Sequence, residues 1–590
     1  MFLRTFIFTL MVTAVYTLSA ASDPFVQNQK LGRGINLGNI FEAPGEGQWG
    51  ISFHDHYLDS ISQKGFQSIR VPIRWSAPQR TQLSEPYTIS EDFFSRIDHV
   101  IERAFDTGLS VIINVHHYEE LFEDATGFHR DRFVAIWEQI SKHYSQYGDS
   151  LYFEVLNEPH DDLTPQRWNL LFSEVLQIIR EKNPTRTVLL GTAEWGGIEG
   201  LSSLEIPEDP NLILTVHYYS PFQFTHQGAS WVENTDRFLG TTWSGTYIQK
   251  NEILNHIETI HAFGEKHNIP VNIGEFGAYS RADIESRHLW TKYCARLFER
   301  YGFSWHYWEF GSGFGAYDPS REEWIDTLVN ALISSDTSIL NIEEDVVDGV
   351  DLVTNGDFSS GMRPWVFGVW DQSGSASSKI QDEELVITVT KKPQATWQIQ
   401  LTQGEIDLEK NSEYIVLFDA RSSAPVSISA SVGMSEEPYT NFASTEGVML
   451  SDRMSTFGFQ FTATEDHSGA RLAFNLGTEP ADITFDNIRL IKITNSSSIR
   501  SSTRSANYAF NNNVSYKLSR DLQIFFHDSD RQKTTVSLFD AQGRIFGTKI
   551  YDPFSGANSI TFPRPFSRGP LFARFSNEAG SYVKRIIHVK

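Results

Sequence analysis

Residues 90–117 read SEDFFSRIDHVIERAFDTGLSVIINVHH. Ile97, Val100, Ile101, Ala104 and Phe105 recur three and four apart, the spacing of one helix face. Ser90 stands before this stretch as an N-cap, Glu91 and Asp92 fall in the first turn, where the helix dipole favours acids, and Gly108 ends it. The segment Ser110–His117 that follows is a short run rich in Val and Ile, strand-like in length. Strands this apolar belong in a parallel sheet with both faces covered, so the unit reads as a βα repeat.

The same alternation extends in both directions, from Gly32 to about Ser335. Apolar runs occur at Gly34–Gly38, Ser68–Ile73, Ser110–His117, Leu151–Pro159, Thr187–Ala193, Leu212–Pro221, Val271–Ala278 and Phe303–Phe310. Trp168, Leu171, Phe172, Val175, Leu176 and Ile179 mark another amphipathic helix between them. Eight such strands predict an α/β fold, a (β/α)8 barrel over 22–335. A doubly wound open sheet is the alternative, but it usually carries a glycine-rich phosphate loop after its first strand, and Gly34-Ile-Asn-Leu-Gly38-Asn lacks that spacing.

Composition narrows the partners. The chain has 590 residues and a net charge of −25, which repels phosphates and anionic lipid, so nucleic acid and membrane surfaces are poor partners. The single cysteine, Cys294, allows neither an intramolecular disulfide nor a cysteine metal cluster. Arg4, the apolar run Thr5–Leu18 and the small residues Ser19-Ala20-Ala21 describe a signal peptide over 1–21, so the mature protein is expected outside the cell, secreted or attached to its surface, with no membrane span. Residues 336–350 are acidic and read as a linker. From 351 to 494 short alternating runs without helical spacing predict a β-sandwich. A Ser/Thr/Arg-rich linker over 495–505 and a small all-β domain over 506–590 close the chain.

In a parallel barrel the reacting side chains stand at the C-terminal ends of the strands. Those ends supply Arg70, His116 and His117, Asn157 and Glu158, His217 and Tyr219, Glu275, and Trp308 and Glu309. Buried charges need partners, and convergence on one face would provide them. Glu158 and Glu275 end strands on opposite sides of the barrel mouth, and carboxyls facing each other across a cleft suit cleavage of a glycosidic bond. One must be protonated to release the leaving oxygen and the other ionised to attack, so their environments must differ. Arg70 and Tyr219 are suited to hold Glu275 charged and aimed, and Asn157 to donate to a sugar hydroxyl. Adjacent histidines point apart and no HExxH motif is present, so no catalytic metal is expected.

The segments YFEVLNEP (152–159) and VNIGEFGAY (271–279) resemble the two catalytic segments of glycoside hydrolase family 5, cellulase family A. The resemblance implies a (β/α)8 barrel with a retaining double displacement, Glu158 as acid/base and Glu275 as nucleophile. It also implies substrate contacts by Arg70, His116, Asn157, His217, Tyr219 and Trp308, which fall in the family's order. GRGINLGNIFEAP and YYSPFQFTHQGASW are similar to a branch of endo-β-glucanases with some activity on mannans. A cellulose-type β-glucan is therefore the expected substrate, with endo-β-mannanase activity, or activity on both backbones, as the alternative. A non-catalytic glycan-binding surface protein is a further reading, and it predicts loss of one of the two glutamates. Trp308 is suited to stack on a pyranose ring. Asn36, Asn39 and Glu42 could bond hydroxyls further along the cleft. His117 serves either substrate or structure. Trp49, Trp195, Phe222 and Trp231 either line subsites or anchor loops.

Val353–Phe358 with Pro364-Trp365, and the close Phe485–Leu490, resemble jelly-roll carbohydrate-binding modules. Trp365 is expected in the core, and Trp370 and Trp397 are candidates for a sugar platform. Such modules often hold a structural calcium, to which Asp486 could contribute; no other cofactor is expected. The tail, with Val536–Arg544 and Tyr582–Lys590, resembles C-terminal sorting domains of type IX secretion, although Gly569-Pro-Leu-Phe departs from the usual pattern. Its partner would be secretion machinery or, given its basic end, an acidic cell-surface polymer.

Overall fold

The computed structural model describes residues 23–340, 349–445 and 447–493, and seven strands of the tail within 514–589. The signal peptide, most of the acidic linker and the Ser/Thr/Arg linker lie outside the described residues. Eight parallel strands close a barrel in sequential order: β1 (Arg33–Asn36), β2 (Ser68–Val71), β3 (Ser110–Asn114), β4 (Leu151–Glu154), β5 (Val188–Gly191), β6 (Leu212–Tyr218), β7 (Val271–Phe276) and β8 (Ser304–Tyr307). β8 returns to β1 with Gly34 opposite His306. Seven of the eight strands lie within an expected run, β1 starts one residue before its run, and all eight stop short of the run's end, so most of the polar residues at the mouth stand just past the ladder.

The helix Glu91–Asp106 buries Phe94, Ile97, Val100, Ile101 and Ala104, and Phe105 packs at its edge. Ser90 occupies the N-cap position, but its side chain makes no capping bond; its carbonyl receives the Phe93 and Phe94 amides instead. Gly108 ends the segment at φ +83°, a conformation that favours glycine. The helix Pro165–Lys182 buries the six expected residues. Alternation aims Ser68 and Arg70 of β2 into the barrel and leaves Ile69 and Val71 to the helices.

Residues 349–493 form two antiparallel sheets around one apolar core, and Trp365 lies in that core. One sheet contains Ser375–Gln381, Glu384–Lys391, Ala481–Ile493, Glu413–Ser422 and Ser455–Thr462. The other contains Val366–Val369, Ile399–Leu408, His467–Asn475, Val426–Met434 and Asn441–Ser444. Of these strands Val366–Val369, Ser375–Gln381, Val426–Met434 and Asn441–Ser444 are short, rich in serine or glycine, or half polar. The described part of the tail forms a three-stranded and a four-stranded antiparallel sheet. Among the described residues no helix is long and apolar enough to cross a membrane.

Candidate active site

Arg70 organises the mouth of the barrel. It is completely buried and binds both oxygens of Glu154, through Nε at 2.6 Å and Nη2 at 2.8 Å. Nη1 donates to Glu275 Oε1 at 2.6 Å and to Asn36 Oδ1 at 2.8 Å, and Nη2 donates to Asn157 Oδ1 at 2.8 Å. A planar fork can serve four acceptors at once where an ammonium cannot. Burial alone would lower its pKa, but Glu154 and Glu275 raise it, so the guanidinium stays charged. Glu154, in the middle of an apolar run, was not among the expected site residues. The available signal was a lone charge in a strand otherwise too apolar to tolerate one.

Glu275 lies near the end of β7, opposite His217 of β6, and the ladder slips on both sides of it. Such irregularities re-aim a side chain. Its Oε2 accepts from the Tyr219 hydroxyl at 2.9 Å, so both oxygens receive hydrogen bonds, the arrangement of an ionised carboxylate. Burial holds its pKa above the ordinary carboxylate value, the Glu158 charge adds to that rise, and His217 and Arg70 offset it only in part. Glu158 follows β4 at φ +44°, a strained conformation for a side-chain-bearing residue of the kind found at functional sites. Its Oε1 is 2.7 Å from His217 Nδ1. Burial would raise Glu158, but the hydrogen bond and charge of His217, with Arg70, bring it below its usual range. Burial would likewise lower His217, and the two carboxylates raise it instead. The 2.7 Å contact lets Glu158 and His217 share one proton, beside a carboxylate fixed by Arg70 and Tyr219.

An oxygen of Glu158 and an oxygen of Glu275 lie within 4.8 Å of each other. Retaining carboxyl pairs stand about 5–5.5 Å apart, and inverting pairs about 6.5–9.5 Å to admit a water. Gly196, at φ +70°, closes this corner from the loop after β5. A Cβ there would stand 3.2 Å from His217 Cγ and 3.4 Å from Glu158 Cγ.

The other expected residues divide into two groups. Asn157, with its oxygen bonded to Arg70, has its amide NH2 to offer a ligand. The Trp308 ring lies parallel to His116, with centroids 5.9 Å apart. Asn114 Oδ1 accepts from the Ile73 amide, which directs Asn114 Nδ2 toward His116 Nδ1 at 3.1 Å. His116, held neutral by burial and nearby positive groups, then carries its proton on Nε2. His117 is half-buried, pairs with Glu119 at 3.2 Å and meets Trp49 edge-on.

Asn36 and Glu42 differ from expectation. Asn36 is fully buried, and its amide donates to the carbonyls of Gly274, His306 and Tyr307, so it supports Arg70 from below. Glu42 is also fully buried and accepts the Asn39 and Ile40 amides, bracing the loop after β1. Burial pushes its pKa up to about 7. Asn39 Nδ2 donates in turn to Glu309, a second completely buried carboxyl, whose Oε1 accepts the Phe314 amide at 3.2 Å. Burial pushes Glu309 up to about 8. This network ties the β1 loop to the β8 loop that carries Trp308.

Trp195 is exposed on the rim and stacks on His160, and Phe222 and Trp231 are exposed in the loop after β6. In the sandwich, Trp370 and Trp397 are 57% and 53% exposed. A polar ladder that the sequence reading missed crosses one sheet: Gln400 Nε2 donates to Asn475 Oδ1 at 2.8 Å, and Asn475 Nδ2 to Ser429 Oγ at 3.1 Å. The Trp370 ring covers Gly368 in the neighbouring strand. Asp486 receives both the backbone and side-chain N–H groups of Asn487, at 2.8 and 3.2 Å.

Residues 32–313 match the family described as Cellulase (glycosyl hydrolase family 5), and residues 350–482 match a carbohydrate binding domain family. Endoglucanase H of Acetivibrio thermocellus is 36% identical over 298 residues, which are 50% of this chain and 31% of that protein, so the chain spans about a third of that relative's length. The Thermotoga maritima Cel5A structure with cellobiose is 47% identical, with a TM-score of 0.52, and the match covers 53% of this chain and all of that one. Cel5A has also been solved with a mannotriose substrate, again at 47% identity with the same coverage and TM-score.

Proposed function

The chain belongs, through its barrel, to glycosyl hydrolase family 5, and from that premise we propose that it is a retaining endo-β-1,4-glucanase acting on cellulose-type glucans. The observation that carries the reading is the approach of Glu158 and Glu275 to within 4.8 Å, with both oxygens of Glu275 held by donors. In the first step the Glu275 carboxylate bonds to the anomeric carbon as the glycosidic bond breaks, and Glu158 gives its proton to the departing oxygen. In the second, Glu158 takes a proton from water, the water oxygen attacks the anomeric carbon, and Glu275 is released. His217 passes the proton to and from Glu158. Asn157 and His116 bind sugar hydroxyls, and Trp308 stacks on the ring. His117 and Trp49 extend the cleft.

Relatives named as endoglucanases support glucan as the substrate, and the mannanase alternative is not favoured. The mannotriose complex of Cel5A makes glucomannan worth assaying beside carboxymethylcellulose, lichenan, xyloglucan and xylan. The sandwich binds glycan near the catalytic cleft, presenting Trp370 and Trp397. The enzyme works outside the cell or on its surface, and the tail serves as a sorting or anchoring domain. Proton NMR of the first products of a soluble β-glucan tests the mechanism. The retained β-anomer is expected, and Glu275→Ala is expected to abolish turnover in a folded protein. An inverted anomer, or activity surviving in Glu275→Ala, overturns it.

A further inference from the structure

The outer faces of a sandwich are ordinarily polar because they meet water. Strand Glu413–Ser422 departs from this. Tyr414, Val416, Phe418 and Ala420 fill the core between the sheets. Ile415 and Leu417, on the opposite face, are 7% and 4% exposed. In the adjacent strand Ile491 stands opposite Ile415, and Ile493 continues the strip. These four side chains form an apolar cluster separate from the sandwich core, and Ile248 of the barrel packs against it.

Ile248 lies in the first turn of the helix Tyr247–His267. One stripe of that helix, Ile253, Ile257, Ile260 and Gly264, is buried against the barrel. Another turns toward the sandwich. Asn255 Nδ2 donates to the Thr456 carbonyl at 3.4 Å, and Glu258, which also accepts from the Tyr301 hydroxyl, pairs with Arg453. The helix follows the loop that carries Tyr219, Phe222 and Trp231, and it leads into β7 with Glu275.

We infer that the Ile415/Leu417/Ile491/Ile493 strip is a docking surface whose partner is this chain's own barrel helix, so that barrel and sandwich act as one rigid body rather than as two tethered modules. Apolar burial holds the contact and the Arg453–Glu258 pair sets its register, since an exposed ion pair alone contributes little. With that sheet face covered, the sheet bearing Gln400, Asn475 and Ser429 is the broad face left for a ligand.

The test uses the full chain with Ile248→Asp. An acid in the first turn suits the helix dipole, so the substitution leaves the helix intact while placing a charge against the apolar strip. Ile248→Leu is the control, and Ile415→Asp repeats the test from the sandwich side. Barrel and sandwich are expected to melt together in the parent protein; in Ile248→Asp the radius of gyration from small-angle scattering is expected to rise and the two melting transitions to separate in calorimetry. Ile248→Leu should match the parent. A parent protein whose scattering requires separated modules, or an Ile248→Asp variant with unchanged radius and melting, overturns the inference.

Discussion

Arg70 holds Glu275 with one side of its guanidinium while the other side is clamped by Glu154, at 2.6 Å in each direction. The attacking carboxylate is thus aimed by a cation that is itself aimed by a second, non-reacting carboxylate. Removing that second carboxylate should disturb catalysis without touching a group that meets the sugar. Glu154→Gln keeps the shape but not the charge, and its kcat/KM is expected to fall about 100-fold, as for small displacements of reacting groups. Arg70→Lys should cost more, because one ammonium cannot span both carboxylates. It should also destabilise the barrel by about 3–5 kcal/mol, the range for breaking a buried pair. Steady-state kinetics and urea unfolding measure both effects.

If Glu158 supplies the proton to the leaving oxygen, its loss must matter most where the leaving group is poor. Glu158→Ala is expected to slow β-glucan hydrolysis by about 10²–10⁴-fold. Aryl glycosides with acidic phenol leaving groups should be much less affected in glycosidic cleavage. Equal losses on both substrate types would remove Glu158 from the acid role.

Glu309 is completely buried, and its pKa of about 8 lies above the ordinary 4.5 because burial disfavours its charge. A carboxyl raised on folding binds its proton more tightly in the native state. It therefore favours the native state below its unfolded pKa, and that contribution declines as pH rises toward about 8. Glu309→Gln cannot ionise. Its melting temperature relative to the parent protein should become more favourable from pH 5 to pH 9, and a difference independent of pH would contradict the shift.

Gly196 has φ +70°, and a Cβ there would crowd His217 Cγ at 3.2 Å and touch Glu158 Cγ at 3.4 Å. Gly196→Ala should cost about 1 kcal/mol in stability for the left-handed backbone. It should also lower kcat on unactivated glucans more than on activated aryl glycosides, since the crowding falls on the Glu158–His217 pair. Calorimetry and parallel kinetics on the two substrates separate these effects.

Much of this molecule was legible in the chain order of its residues. Helical spacing at Ile97–Phe105, strand-like runs and polar residues at their ends require only local periodicity, which a sequence displays directly. Glu158 and Glu275 were visible because each interrupts an apolar strand end, where a charge needs a reason. What only the tertiary structure decided is which atoms share a partner. Asn36 and Glu42, read as candidates for sugar contact, are both buried: Asn36 bonds carbonyls of β7 and β8, and Glu42 turns back onto the amides of its own loop. Glu154 became a site residue because β2 and β4 bring it to Arg70. The outward Ile415 and Leu417 gained a partner from a helix more than 150 residues earlier. Periodicity reports which face of an element is apolar, but hydrogen bonding and burial depend on neighbours supplied by chain closure, and those become defined only when the barrel shuts and the sandwich meets it.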